Sequence, residues 1–377
     1  MRKFRGGLVL AAALCTVFFM YGCQQGETKE TAAVKTEAAS FPSSESAKAG
    51  SFENTSDKTR VFTDSAGREV TLPEEIHKIA PSGPLAQIVL YTVAPDKLAG
   101  LAADFTDGAK KYIDEKYWGL PRFGQFYGKN ANLNMEALIA AKPDVIIDIG
   151  EAKKTVKEDM DALSEQLGIP VVFVEADLDS MSAAYKMLGE ITGETGQAEK
   201  LADYCDSTLK KSEAVKASLV ANQKKSVYFA IGDNGLHTNA EGSIHARVIE
   251  QIGAENAAKV EQASSGGGSE VSMEQLLLWQ PDIILADSQA LYQTITTDSV
   301  WAELNAVKEG RVYQIPSAPY SFMSNPPSVN RLIGILWLGN LVYPEQYHED
   351  VKADVKTFYD LFYHVQLTDA QADDIEK

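Results

Sequence analysis

The sequence predicts an α/β protein of two similar lobes, with mostly parallel sheets wrapped by helices, joined by one long connecting helix and facing each other across a cleft. Three observations predict it. A stretch reading NLNMEALIAAKPDVIIDIG over 132–150 returns as VSMEQLLLWQPDIILAD over 271–287. Aligned without a gap, Asn134 meets Ser272, Met135 meets Met273, Glu136 meets Glu274, Leu138 meets Leu276, and Pro143-Asp144 meets Pro281-Asp282. Each copy reads as a capping residue, a glutamate in the first helical turn, a short helix, a Pro-Asp break and a buried strand. Strand patterns alternate with helical ones on both sides of this unit, the signature of a parallel sheet. Finally, 194–222 is almost unbroken helix former without proline. At ~1.5 Å per residue it makes a rod on the order of 40 Å, long enough to cross between lobes.

The gross numbers permit this plan and exclude others. A chain of 377 residues, 45% hydrophobic, can bury two cores. A formal net charge of −18 argues against nucleic acid and against general adhesion to anionic lipid. Arg2, Lys3 and Arg5, the apolar run 8–20 and Gly22-Cys23 have the anatomy of an export signal ending in a lipoprotein-type cysteine. Residues 1–22 are therefore read as signal peptide, Cys23 as the lipidation site and 23–58 as a flexible, lipid-anchored tether too polar to fold. Met20 and Tyr21 depart from the usual small-residue pattern, and plain secretion is the alternative. Cys15 leaves with the signal, so Cys205 stands alone in a helical pattern, as a packed core thiol.

Folded sequence begins near Arg60 with VFTDSAGREVTL, a hairpin around Ser65-Ala66-Gly67. HKIAP (strand), LAQIVLYTVAP (helix) and KLAGLAAD (short strand) follow, then a polar and aromatic excursion over 104–129. After the first copy of the unit come a helix over 153–167, the strand PVVFVE and a helix over 180–191. The second half runs KSVYFAIG (strand), a loop over 232–245, ARVIEQIG (helix), a Gly/Ser-rich loop, and the repeated unit. VWAELNAV (helix), RVYQIP (strand), another long loop and closing helices from Asn330 complete it. The lobes are thus 59–193 and 223–377, with 194–222 between them.

Ligands of open α/β sheets bind beyond the carboxyl ends of the strands. Here those loops are 81–87, 149–152, 175–177, 232–245, 288–292 and 316–327, rich in Ser, Asn, Tyr, Gly and Pro. Their ligand-binding candidates are Ser82, Gly83, Pro84, Glu151, His237, His245, Tyr292, Tyr320 and Asn325, joined by Tyr127 from the aromatic excursion. For any one glycine or proline, turn formation explains its presence equally well, and a loop histidine is ordinarily just solvated. His77, His348 and His364 read as structural or exposed. No GxGxxG after a strand, P-loop, HExxH or CxxC occurs, and no nucleophile elbow, so no catalytic residue is assigned. A first-turn glutamate is ordinary, favoured by ~0.3–1 kcal/mol. Two at matching positions, Glu136 and Glu274, put one charge on the same corner of each lobe, set to meet two cationic sockets.

The signal-Cys start, SAGREVTLPEEIHKIAP, NLNMEALIAAKPDVII, LGIPVVFVE, LGEITG and VSMEQLLLWQPDIILAD resemble the class III solute-binding proteins of bacterial ABC importers for iron complexes and vitamin B12. The resemblance runs from about Arg60 to the C-terminus. It implies Rossmann-like lobes, a ligand held between them, and delivery to an ABC permease dimer with its ATPase. It places the family's two permease-docking glutamates on Glu136 and Glu274. It further implies a binding protein rather than an enzyme, monomeric, with no cofactor of its own, in the periplasm or on the outer face of the cell membrane. Its ligand is a metal chelate: ferric siderophore, haem or corrinoid (cobalamin-like). Whether any side chain ligates the metal stays open. Members that hold ferric catecholates often carry cleft arginines and a His–Tyr pair, whereas Asp287 is followed here by Ser288, and 264–268 offers no His. A metal-free ligand or a simple oxyanion stays open. So do an anchored α/β enzyme acting on a metal-containing tetrapyrrole, and a sensor or adhesin that reuses the fold.

Overall fold

The computed structural model describes residues 58–127, 131–263, 268–324, 326–348 and 350–376. The signal peptide, all of the tether before Lys58, Cys23 and Asn325 lie outside the described residues.

The chain opens with the antiparallel hairpin β1 (Thr59–Thr63) and β2 (Glu69–Pro73). Buried Asp64 takes hydrogen bonds from the Ala66 and Arg68 amides within the turn and from the Phe173 amide at 3.1 Å. Arg68 adds a bond to the Val171 carbonyl, so the hairpin is tied to a sheet edge rather than left free.

The N-terminal sheet is parallel, in the order β3 (Ile79–Pro81), β4 (Val145–Gly150), β5 (Val171–Glu175). Its helices are α1 (Pro84–Val93), α2 (Met135–Ala141), α3 (Val156–Leu167) and α4 (Met181–Thr192). The KLAGLAAD stretch, expected as a strand, makes only single parallel bridges, from Leu98 to Ile79 and from Leu101 to Arg122. Between them Gly100 lies against the Phe123 ring, where an added Cβ would come within 2.3 Å, so side-chain packing fills the space a continuous ladder would need.

Connecting helix α5 (Thr195–Ser218) is somewhat shorter than its helix-forming sequence. It packs along α4 at one end. At the other it reaches the second lobe, where Gln251 Nε2 donates to Ser212 Oγ at 2.9 Å. Cys205 is fully buried in its core face.

The C-terminal sheet contains β6 (Ser226–Ala230), followed by helix α6 (Arg247–Gln251) and strand β7 (Glu255–Asn256). Helix α7 (Met273–Trp279), strand β8 (Ile283–Ala286), helix α8 (Gln289–Thr297) and strand β9 (Val312–Gln314) continue it. The strand order is β9-β8-β6-β7, all parallel. Helix α8 covers residues expected as loop, because the Ser288 hydroxyl caps it by accepting from the Leu291 amide. VWAELNAV, expected as one helix, breaks into a 3-10 turn at Trp301–Glu303 and a short helix at Asn305–Lys308. Among the described residues no helix is long and apolar enough to cross a membrane.

The repeated unit is repeated in space. Helices α2 and α7 are each capped by the aligned residue, Asn134 on the Ala137 amide and Ser272 on the Gln275 amide. Each buries one aligned leucine completely, Leu138 or Leu276, worth about 1.5–3 kcal/mol apiece. Each ends in a left-handed residue, Lys142 at φ 51° and Gln280 at φ 42°, directly before the proline that stops the helix. The aspartate then grips the start of the neighbouring strand: Asp144 accepts from the His77 and Lys78 amides, Asp282 from the Ser226 amide and hydroxyl.

The closing helices α9 (Asn330–Val342) and α10 (Val351–Tyr363) divide between the lobes. Helix α9 packs on α5 and α6, but α10 returns to α1. Tyr359 meets Tyr112 edge-on at 5.1 Å, Phe362 meets Tyr185 at 6.1 Å, and Gln197 donates to the Leu361 carbonyl at 2.8 Å. The sequence reading placed all of 223–377 in the C-terminal lobe. The aromatic face of α10 instead covers the N-terminal core.

Candidate functional site

A cavity of about 270 Å³ opens beyond the carboxyl ends of β3 and β4, where a parallel sheet presents its ligands. Ser82, Gly83, Pro84, Tyr127 and Glu151, all expected from the sequence, come together in its wall. The Phe126 amide donates to the Ser82 carbonyl at 2.9 Å, which sets Tyr127 beside the strand ends. Helix α1 starts here on Gly83 with no side-chain cap, a proline in its first turn and no acid.

At the base lies Asp148, 2% exposed, which sequence reasoning missed. Tyr127 donates its hydroxyl to Asp148 Oδ1 at 2.8 Å and Oδ2 at 2.7 Å, and the Ser82 hydroxyl donates to Oδ1. Burial raises the Asp148 carboxyl above the usual range, opposed by those two hydroxyl donors. Burial also raises the Tyr127 phenol, with Asp148 adding to the effect, so it stays a proton donor. The available signal was an acid inside an otherwise apolar strand, VIIDIG, which needs partners when buried.

A second cavity of about 200 Å³ is lined from the other lobe by Asn239, Ser243, His245 and Gln262, and again by Glu151. Glu151 is thus shared by both, and the two cavities form one cleft between the lobes. His245 Nδ1 hydrogen-bonds the Ser324 hydroxyl. Burial, aided by nearby Arg331, holds its imidazole below the ordinary value, hence neutral at pH 7.

Two ion pairs join the lobes without lining either cavity. Arg331, 2% exposed, reaches Asp177 Oδ1 at 3.2 Å, and Arg247 reaches Asp179. Neither arginine was singled out from sequence, since both sit in stretches that read only as helix.

The remaining candidates lie elsewhere. His237 exchanges backbone hydrogen bonds with Ile231 and lines neither cavity. Tyr292 is carried by α8 against the second lobe's core, and Tyr320 packs near Tyr363 at 6.4 Å. Glu136 and Glu274 are both exposed, in the first turns of α2 and α7. The Glu274 carboxyl is held below the usual range by its own backbone N–H and the Ser272 hydroxyl. Among the described residues no cluster of three or more His, Cys, Asp or Glu could hold a metal ion. A larger cavity, about 710 Å³, lies at the opposite end of α1, between Tyr91, Tyr117 and Tyr363, away from the strand ends.

The periplasmic binding protein family matches residues 125–319, a span that contains both copies of the repeated unit. The chain is 28% identical over 303 residues to the uncharacterized ABC transporter substrate-binding lipoprotein YvrC of Bacillus subtilis, covering 78% of this chain and 89% of that one. It is 26% identical to the molybdate-binding protein MolA of Haemophilus influenzae, covering 81% and 91%. An ABC transporter solute binding protein from Sulfurospirillum deleyianum superimposes with a TM-score of 0.77 at 30% identity, covering 84% of this chain and 98% of that one.

Proposed function

Starting from a chain that belongs to the periplasmic binding protein family, we propose that it is the capture subunit of an ABC importer, binding a metal chelate between its lobes and handing it to the membrane permease. The observation that carries this reading is the cleft itself. Two lobes built from the same unit bring their strand-end loops together around Glu151, a geometry for holding a small molecule.

In this reading Glu136 and Glu274 dock the permease, one per lobe. Exposed charges of this kind chiefly raise association rate and fix orientation, as a carrier that must dock and leave requires. Relatives are named for binding molybdate, vitamin B12 and Fe(3+)-citrate, which supports a small metal-containing cargo. The protein works in the periplasm or on the outer face of the membrane, held there by Cys23.

The test is to purify the chain from its own host and identify what travels with it by mass spectrometry and absorption. An unchanged chelate bound one to one supports the proposal. Conversion of that ligand by catalytic amounts of the protein would overturn it in favour of an anchored enzyme.

A further inference from the structure

The cleft carries a charge that selects among ligands, an inference that rests on the capture role just proposed. Three carboxylates, Asp148, Glu151 and Asp159, line the N-terminal cavity against one ammonium, Lys153. Lys153 Nζ is 5.8 Å from the centroid of the Tyr127 ring, a contact that holds the ammonium beside the ring without neutralising it. On the facing lobe, Arg331 and Arg247 are paired with Asp177 and Asp179. His245, the titratable group of the second cavity besides Glu151, adds no positive charge at neutral pH.

The hydrogen-bonding groups point the same way. The Ser82 and Tyr127 hydroxyls both give their protons to Asp148, leaving lone pairs to face whatever enters. One feature opposes this: the uncapped amino end of α1 reaches the same cavity. It carries the equivalent of about half a positive charge, less than a single carboxylate. Glu151 and Asp159 together still exceed the Lys153 ammonium plus that half charge, before Asp148 is counted.

We propose that this cleft takes a ligand presenting positive charge to the N-terminal lobe, and discriminates against oxyanions and anionic chelates. Glu151 and Asp159 are the specificity-determining residues that remain exposed to an incoming ligand.

The test is titration calorimetry of the purified chain with one ferric trihydroxamate in three charge forms: the amine-bearing desferrioxamine B complex, its neutral N-acetyl derivative and its anionic N-succinyl derivative. A cationic corrinoid, molybdate and ferric citrate are run beside them. Affinity is expected to fall by about tenfold for each step toward negative charge. Glu151→Gln combined with Asp159→Asn is expected to flatten the series to within about threefold. Both residues are exposed, so the fold should survive, which a melting curve checks. A flat or reversed series, preference for molybdate or ferric citrate, or no binding by any cationic or neutral complex overturns the proposal. Failure of the capture role itself looks different: protein from the host then carries no ligand of any charge, and its loss leaves uptake unchanged.

Discussion

Arg331 Nη1 lies 3.2 Å from Asp177 Oδ1, pairing a guanidinium buried in the closing helices with a carboxylate from the strand end of the other lobe. Burial pulls the Arg331 pKa down while Asp177 holds it up, so Asp177 offsets part of the cost of burying this guanidinium. Removing one member of such a pair costs more than removing the charge altogether. Asp177→Ala is expected to destabilise the fold by about 1–3 kcal/mol, the low side of the buried-pair range because Asp177 is one-third exposed. Arg331→Met should lose less. Urea unfolding of both variants decides it, and a greater loss for Arg331→Met refutes the pairing account.

The docking role proposed for the paired glutamates is separable from ligand binding. Glu136→Ala with Glu274→Ala is expected to cut uptake by about tenfold, since two exposed rim charges that steer docking are lost together. Ligand affinity should be unchanged, since neither side chain lines the cleft. A fall in affinity in the double variant would contradict the assignment.

Asp354 gives the fold a pH dependence of its own. Burial pushes its carboxyl up to about 6, opposed by Lys211, and its Oδ2 accepts no hydrogen bond among the described residues. The folded state thus holds a proton that the unfolded chain releases near pH ~4. Its contribution is full below that pH and is lost as pH rises through about 6. Asp354→Asn is expected to raise stability at pH 7 by about 1 kcal/mol, discounted for partial exposure, and to do nothing at pH 4. Thermal melts at the two pH values test this, and an equal gain at both would exclude it.

Lobe movement on binding should be modest. One continuous helix, α5, connects the lobes, and bending it breaks backbone hydrogen bonds. Solution scattering should give nearly the same radius of gyration with and without ligand. A change of several ångströms would overturn that expectation.

The sequence carried the architecture because the repeated unit is a local signal. Cap, glutamate, buried leucine, left-handed stop and Pro-Asp all lie within one short window, and their partners are a strand away. Ser82 and Glu151 were placed at the cavity for the related reason that strand-end loops gather beyond the carboxyl edge of a parallel sheet. Asp148 and Arg331 were not legible. Each looks like an ordinary member of its strand or helix until a residue far along the chain, Tyr127 or Asp177, supplies its meaning. Tyr292 misled because Ser288, expected in a loop, turned out to start a helix. The return of α10 to α1 was hidden likewise, since apolar periodicity says that a face is buried and not against what.

That return has a mechanical consequence. The chain passes between the lobes twice, through α5 and again between α9 and α10, where α10 packs on α1 beside the start of α5. A second crossing stiffens the first: the lobes can still rotate about the line through both, but twisting and sliding are resisted. In the capture role proposed above, such a frame keeps the two halves of the cleft in register for the ligand.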